Sequence, residues 1–163
     1  MINVLRLESY SGTIIFTFTG RKSVWQSEYI DNLKSERTMQ VKIDTKEKYH
    51  VITIQESKLT ANMTEQLQTG LLTYLKNPTK NVILVLEDIN NIDDAAAETL
   101  IYIQQCFYEQ NASFVICSLQ PSVQQILDST GLLEIMNEVP TQAEAADIIH
   151  MEEIERELLE GDL

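Results

Sequence analysis

A chain of 163 residues has the size of one ordinary domain, and 44% hydrophobic against 23% charged residues favours a folded core over disorder. Its 25 Asp+Glu outnumber 12 Lys+Arg, and the formal charge of −13 excludes the basic footprint that nucleic acid or an anionic membrane would need. No apolar run reaches the length of a membrane span and no charged-then-apolar start reads as a signal peptide, so a cytoplasmic protein is expected.

The charge divides the chain. Residues 1–38 hold 5 Lys+Arg and 4 Asp+Glu, a net of +1, whereas residues 39–163 hold 7 and 21, a net of −14. The first segment also contains the sole tryptophan, Trp25, and the alternating run Thr13-Ile14-Ile15-Phe16-Thr17-Phe18-Thr19. It reads either as a β-hairpin appended to a domain or as a weakly ordered extension. The extension is favoured, because residues 39–163 suffice for a compact domain.

From Val41 the pattern is that of alternating strands and helices. Val41 and Ile43, then Val51-Ile52-Thr53-Ile54, predict two adjacent strands across a Lys46-Glu47-Lys48 turn. Asn62 with Glu65 opens a helix carrying Met63, Leu67, Leu71 and Tyr74/Leu75 on one face, and Asn77-Pro78 ends it. Val82–Leu86 is an unbroken apolar run, the mark of a strand buried on both faces. Beyond the turn Glu87–Asp94, the positions Ala96, Leu100, Ile103 and Phe107 trace a long second helix.

Phe114–Cys117 is another buried strand. Pro121 suits the first turn of a third helix bearing Val123, Ile126 and Leu127, with Gly131 placed to cap its end. A short strand is expected near Leu133–Met136. Thr141 and Glu144 form a capping box for the last helix. There Ile148, Met151, Ile154 and Leu158 are expected to pack inward, and Glu152, Glu153, Glu155, Glu157 and Glu160 to face solvent, a reading favoured over the acidic helix serving as a partner-binding element. The order β-β-α-β-α-β-α-α predicts an α/β fold with a mixed, largely parallel central sheet covered by helices.

Few residues offer chemistry. Cys106 and Cys117 form no CxxC and read as reduced core thiols. His50 and His150 are isolated and show no metal-ligand spacing. The five glycines are scattered, so no phosphate-cradling loop exists, and no GxSxG elbow is present. No cofactor or metal is expected. The grouped carboxylates Glu87, Asp88, Asp93 and Asp94 could hold Mg²⁺ at a strand end, as in phospho-accepting receiver domains, using Asp88 or Asp93. Such a receiver also wants acidic residues after its first strand and a lysine after a late strand, where this chain has only Glu56 and Gln120-Pro121. The favoured reading is that Asp93 or Asp94 caps the second helix.

The run Asn81-Val-Ile-Leu-Val-Leu-Glu-Asp-Ile-Asn-Asn-Ile-Asp-Asp-Ala-Ala-Ala resembles the STAS domain of bacterial anti-sigma factor antagonists, in which an apolar strand and short connection lead to Asp-Ser-Ser-Gly at a helix start. Ala112–Leu119, Gln124–Ile135 and the ending His150–Leu158 resemble the later strand, helix and tail of stand-alone members. The resemblance spans about three quarters of the chain and implies a STAS-like (SpoIIAA-like) fold for residues 39–163. In that family the second serine is phosphorylated by a partner anti-sigma kinase, and the unphosphorylated surface binds that kinase.

Carried across, Asp93 matches the family aspartate, Asp94 the first serine, Ala95 the phosphorylated serine and Ala96 the glycine. A methyl group cannot accept phosphate, so the usual switch cannot operate at Ala95. Either the surface stays permanently competent, or Asp94 imitates the phosphorylated state. The expectation is a non-enzymatic module of bacterial signalling. Asp93, Asp94, Ala95, Ala96 and Ala97 would contact a protein partner, in all expectation an ATP-binding anti-sigma factor of serine-kinase type. A purely scaffolding subunit is the third reading.

Overall fold

In the computed structural model of the chain, residues 38–161 are described in full, and before them only the backbone of three strands, β1 (Arg6–Tyr10), β2 (Thr13–Phe18) and β3 (Arg21–Ser23). Chain packing divides the molecule into two units, Met1–Thr38 and Met39–Leu163. In the first, the three strands form an antiparallel sheet in the order β1-β2-β3. Trp25 lies outside the described residues.

The second unit is built on a five-stranded sheet. Its members are β4 (Val41–Thr45), β5 (Tyr49–Ile54), β7 (Asn81–Val85), β9 (Phe114–Cys117) and β10 (Glu138–Val139). The spatial order is β10-β9-β7-β5-β4, parallel throughout except for the β4–β5 hairpin at one edge. Two further short strands, β6 (Lys58–Leu59) and β8 (Asn91–Ile92), pair with each other in parallel. The α-helices are α1 (Thr64–Leu72), α2 (Asp94–Glu109), α3 (Pro121–Ser129) and α4 (Gln142–Gly161). The architecture is the mixed, largely parallel α/β sheet that the strand–helix alternation implies.

Every residue of β7 and β9 is buried, because helices cover both faces of the sheet and successive side chains point to opposite sides. Ile52, Ile54, Val82, Leu84, Phe114 and Ile116 face one core with the apolar sides of α1, α2 and α3, including Leu67, Leu71, Leu100, Ile103, Phe107, Val123 and Leu127. Val51, Ile83, Val85, Val115 and Cys117 face a smaller core closed by Ala145 and Ile149 of α4. The period-two alternation thus assigns three helices to one face and one to the other.

Local signals set several boundaries as the sequence implies. Pro121 sits in the first turn of α3. At its end Gly131, with φ 71°, donates to the Asp128 carbonyl while Leu132 donates to that of Leu127, the paired bonds of a Schellman motif. The Glu144 N–H donates to Thr141 Oγ1 at 3.2 Å, one half of the capping box opening α4. Before Pro78 the chain passes from α1 into a 3₁₀ turn, Thr73–Lys76, and becomes extended at Asn77.

Three details differ from expectation. Residues Leu133–Ile135 form a 3₁₀ turn, and the short strand follows at Glu138–Val139, where its backbone can reach β9. Asn62 lies in a 3₁₀ turn, Ala61–Met63, that precedes α1. The third difference is larger: in α4 Met151, Ile154 and Leu158 are exposed, while Glu152, Glu153 and Arg156 turn toward the sheet. The reason lies in two buried polar residues at the strand starts, Asn81 and Ser113. The Asn81 amide donates to Glu153 Oε1 at 3.1 Å, and the Ser113 hydroxyl donates to the Glu152 carboxylate. Arg156 donates to Ser113 Oγ at 3.1 Å, and Lys48 pairs with Glu153 at 3.1 Å. A buried polar group must be paired, so these bonds fix the rotation of the helix against its apolar stripe.

His50 has a structural position. It is buried, its Nε2 lies 3.0 Å from the Thr79 carbonyl, its Nδ1 lies 3.0 Å from Thr45 Oγ1, and it contacts the Tyr74 ring. Since a carbonyl only accepts, Nε2 carries a proton. Cys117 is fully buried, and that burial pushes its thiol above the ordinary range. An acid whose folded-state pKa is raised loses its proton first in the unfolded chain, so its contribution to stability falls as pH rises through the ordinary thiol range. A thiol reagent at mildly alkaline pH is expected to reach Cys117 only on unfolding, in a phase that follows the loss of circular dichroism. Gly131→Ala should cost about 1 kcal/mol through its left-handed φ, read as a lowered thermal midpoint.

Candidate functional site

The segment joining β7 to α2 runs over the carboxyl ends of the parallel strands, where open α/β sheets carry their working groups. It has a buried frame and an exposed rim. Leu86, Ile89 and Ile92 are buried in the core, whereas Glu87, Asp88, Asn90, Asn91, Asp93, Asp94 and Ala95 are exposed. This alternation leaves the backbone little freedom.

Bonds to three other parts of the chain fix it further. Asn90 and Asp93 donate their N–H groups to the carbonyls of Ser57 and Leu59, at 2.8 and 2.9 Å, flanking the β6–β8 ladder. The Ser122 hydroxyl of α3 donates to the Asn90 carbonyl at 2.8 Å. The Gln120 side-chain amide donates to the Glu87 carbonyl. Ser57, Leu59, Gln120 and Ser122 thus belong to the site, though only the lone Leu59 among polar neighbours signals a buried anchor in the sequence.

The two aspartates separate in role. Asp93 occupies the N-cap position of α2 with extended backbone, and its carbonyl accepts the Ala97 N–H at 3.0 Å. Its carboxylate makes no bond to its own helix. Instead Asp93 Oδ2 accepts the Ala61 N–H at 3.0 Å, at the start of the 3₁₀ turn leading into α1. That N–H has no intrahelical acceptor, so the carboxylate caps the neighbouring helical entrance and ties two turns together. Asp94 is the first residue of α2, exposed at the positive end of the helix dipole.

The alanines separate as well. Ala95 is exposed in the first turn of α2, whereas Ala96 and Ala97 are 1% and 2% exposed within the core under α2. Burial removes Ala96 and Ala97 from the contact surface and gives them a packing role, in which small side chains let α2 start close to the sheet. What the turn offers is Asp94, Ala95 and Glu98 from α2, beside Ala61 and Asn62. No nucleophile stands among them. Among the described residues no group of three or more His, Cys, Asp or Glu side chains is arranged to hold a metal ion, and Asp88 and Asp93 do not converge in one.

An open depression lies at the other end of the strands, lined by Lys48, Lys80, Asn81, Glu153 and Arg156 among others. Of its charged groups, Lys48, Glu153 and Arg156 are engaged in holding α4, and the strand–helix turn is the stronger candidate.

A five-stranded mixed sheet with three helices on one face, one on the other and an acidic helix start above its centre defines an α/β domain whose displayed feature is a turn. The sequence profile described as STAS domain matches residues 40–146, and the chain belongs to that family. A Thermotoga maritima protein assigned as an anti-sigma factor antagonist has the same fold, with 20% identity over 70% of this chain and 96% of its own, at a TM-score of 0.57. A variant of Moorella thermoacetica RsbS is 21% identical, covering 68% of this chain and 95% of its own, at 0.57. The anti-sigma factor antagonist SpoIIAA in its unphosphorylated form is 15% identical, covering 68% and 96%, at 0.55. No curated protein matches the chain by sequence. Among the described residues no helix is long and apolar enough to cross a membrane.

The bridge from Asp93 to Ala61 yields a direct test. Asp93→Ala should lower stability by about 1 kcal/mol, the usual worth of a capping side chain, and Asp93→Asn should retain most of it. Denaturant unfolding measures both, and amide exchange at Ala61 should accelerate selectively in the alanine variant.

Proposed function

We propose that residues 39–163 form a non-enzymatic, partner-binding module of bacterial regulatory signalling, resembling an anti-sigma factor antagonist that is not switched by phosphorylation. The observation that carries this reading is Ala95. It is exposed in the first turn of α2, at the position where the family resemblance puts the phosphorylated serine, on a turn held by Ser57, Leu59 and Ser122. On this reading the display surface is kept and the acceptor hydroxyl is absent. Membership of the STAS family and the shared fold of the antagonists support the general role.

The partner proposed is an ATP-binding anti-sigma factor of serine-kinase type, met in the cytoplasm through Asp93, Asp94, Ala95 and Glu98. Asp93 serves mainly by holding the turn, and Asp94 and Glu98 supply the acidic contacts. Constitutive binding is favoured over mimicry of a phosphorylated state. A phosphate would bring a charge of about −1.5 to −2 and three acceptor oxygens, and Asp94 brings one carboxylate, one position early. Its exposure also leaves it screened by water.

Mixing the chain with the anti-sigma kinase of the same organism, with and without ATP, tests this by size-exclusion chromatography. A complex that persists in ATP is expected. Ala95→Ser should make that complex ATP-sensitive and yield a phosphoserine detectable by mass spectrometry. Failure of the wild-type chain to bind, or a serine variant left unmodified and insensitive, would remove the inherited surface from consideration.

A further inference from the structure

The outward face of α4 is apolar where an isolated domain gains nothing from it. Met151, Ile154 and Leu158 are 62%, 56% and 65% exposed. Their spacing of three and four residues puts them on one stripe of the helix, pointing away from the sheet-facing positions Ala145, Ile149, Glu152 and Arg156. This is not a loosely attached helix. Glu152, Glu153 and Arg156 are bonded to Ser113, Asn81 and Lys48, so α4 cannot roll to bury the stripe without breaking paired polar contacts.

The flanks of the stripe are of one sign. Glu155 lies on one side and Glu157 on the other, Glu160 follows, Asp147 extends the stripe toward the helix start, and all are exposed. In heptad terms Met151, Ile154 and Leu158 are the seam positions, with Glu155 and Glu157 at the places that face a partner helix. Charge decides what can cover such a seam. A second copy would set Glu155 and Glu157 against the same residues of its neighbour, and like charges at those places destabilise the pairing. An anionic lipid surface is repelled in the same way.

We propose that the outer face of α4 is a second docking surface, and that its occupant is a basic amphipathic helix. That helix presents apolar residues at three- and four-residue spacing, flanked by Lys or Arg. Met151 to Leu158 spans two helical turns, so the matching segment is about 8–11 residues long. The surface lies on the other face of the sheet from α1, α2 and α3, and binding there is independent of the reading given to Ala95.

The test uses the full chain and a fluorescent Leu/Lys peptide of about 14 residues with leucines along one helical stripe, read by anisotropy. Two controls accompany it: a peptide of the same composition with leucines spread around the helix, and a Leu/Glu stripe peptide. The Leu/Lys stripe peptide should bind at least tenfold tighter than the spread one, and weaken with salt. Ile154→Ser with Leu158→Ser should weaken binding tenfold or more while the far-ultraviolet spectrum and melting midpoint hold, since both side chains are exposed. Glu155→Lys with Glu157→Lys should reverse the preference toward the Leu/Glu peptide, and Ala95→Ser should change nothing. Equal binding of striped and spread peptides would reduce the effect to bulk negative charge and overturn the proposal. It would also be overturned by self-association that the serine pair abolishes, or by stripe-dependent binding to zwitterionic vesicles in preference to the peptide.

Discussion

Strands β7 and β9 have no face left for water, and much of the molecule follows from that. A strand buried on both sides cannot carry polar function along its length, because each unpaired polar atom there would cost several kcal/mol. Polar work is therefore displaced to the strand ends. At the carboxyl ends it is the turn from Glu87 to Asp94, anchored by Leu86, Ile89 and Ile92 and displayed through α2. At the amino ends it is Asn81 and Ser113, which draw Glu152, Glu153 and Arg156 down onto the sheet. The first arrangement builds a surface, and the second orients a helix.

These two ends also mark what can be read in the sequence. The strand Val82–Leu86 and the face Ala96, Leu100, Ile103 and Phe107 are legible because burial repeats with the period of the element. Gly131, Pro121 and Thr141 are legible because a cap acts within a few residues of itself. The Asp93 carboxylate is not, since its partner, the Ala61 N–H, stands 32 residues away and lies on a different helical entrance. The β6–β8 ladder is invisible for the same reason: two residues paired with two carry no periodicity, and only tertiary placement brings them together.

The rotation of α4 is the instructive failure. Its sequence offers an ordinary amphipathic pattern, with Ile148, Met151, Ile154 and Leu158 against a field of glutamates. Hydrophobicity alone would bury the former. The opposing term is long-range: Asn81 and Ser113 lie on the sheet face that α4 covers, and pairing them with Glu152, Glu153 and Arg156 takes the sheet-facing side of the helix in place of three apolar side chains. Ala145 and Ile149 supply enough apolar contact to seal the small core without them. A helix-wheel argument cannot see this, because the deciding groups sit on other elements.

Charge then unites the two surfaces. The turn at Ala95 carries Asp94 and Glu98 beside an uncharged methyl, and the stripe of α4 is bordered by Glu155 and Glu157. Residues 39–163, the unit that bears both, carry a net charge of −14 against +1 for residues 1–38. A net acidic exterior repels copies of itself, nucleic acid and anionic lipid at long range, and it accelerates encounter with basic proteins. On the proposed reading, short-range apolar contact selects among basic partners, since desolvating Met151, Ile154 and Leu158 requires a matching stripe. The excess of carboxylates thus bears on the two proposed docking surfaces twice, first by sign and then by fit.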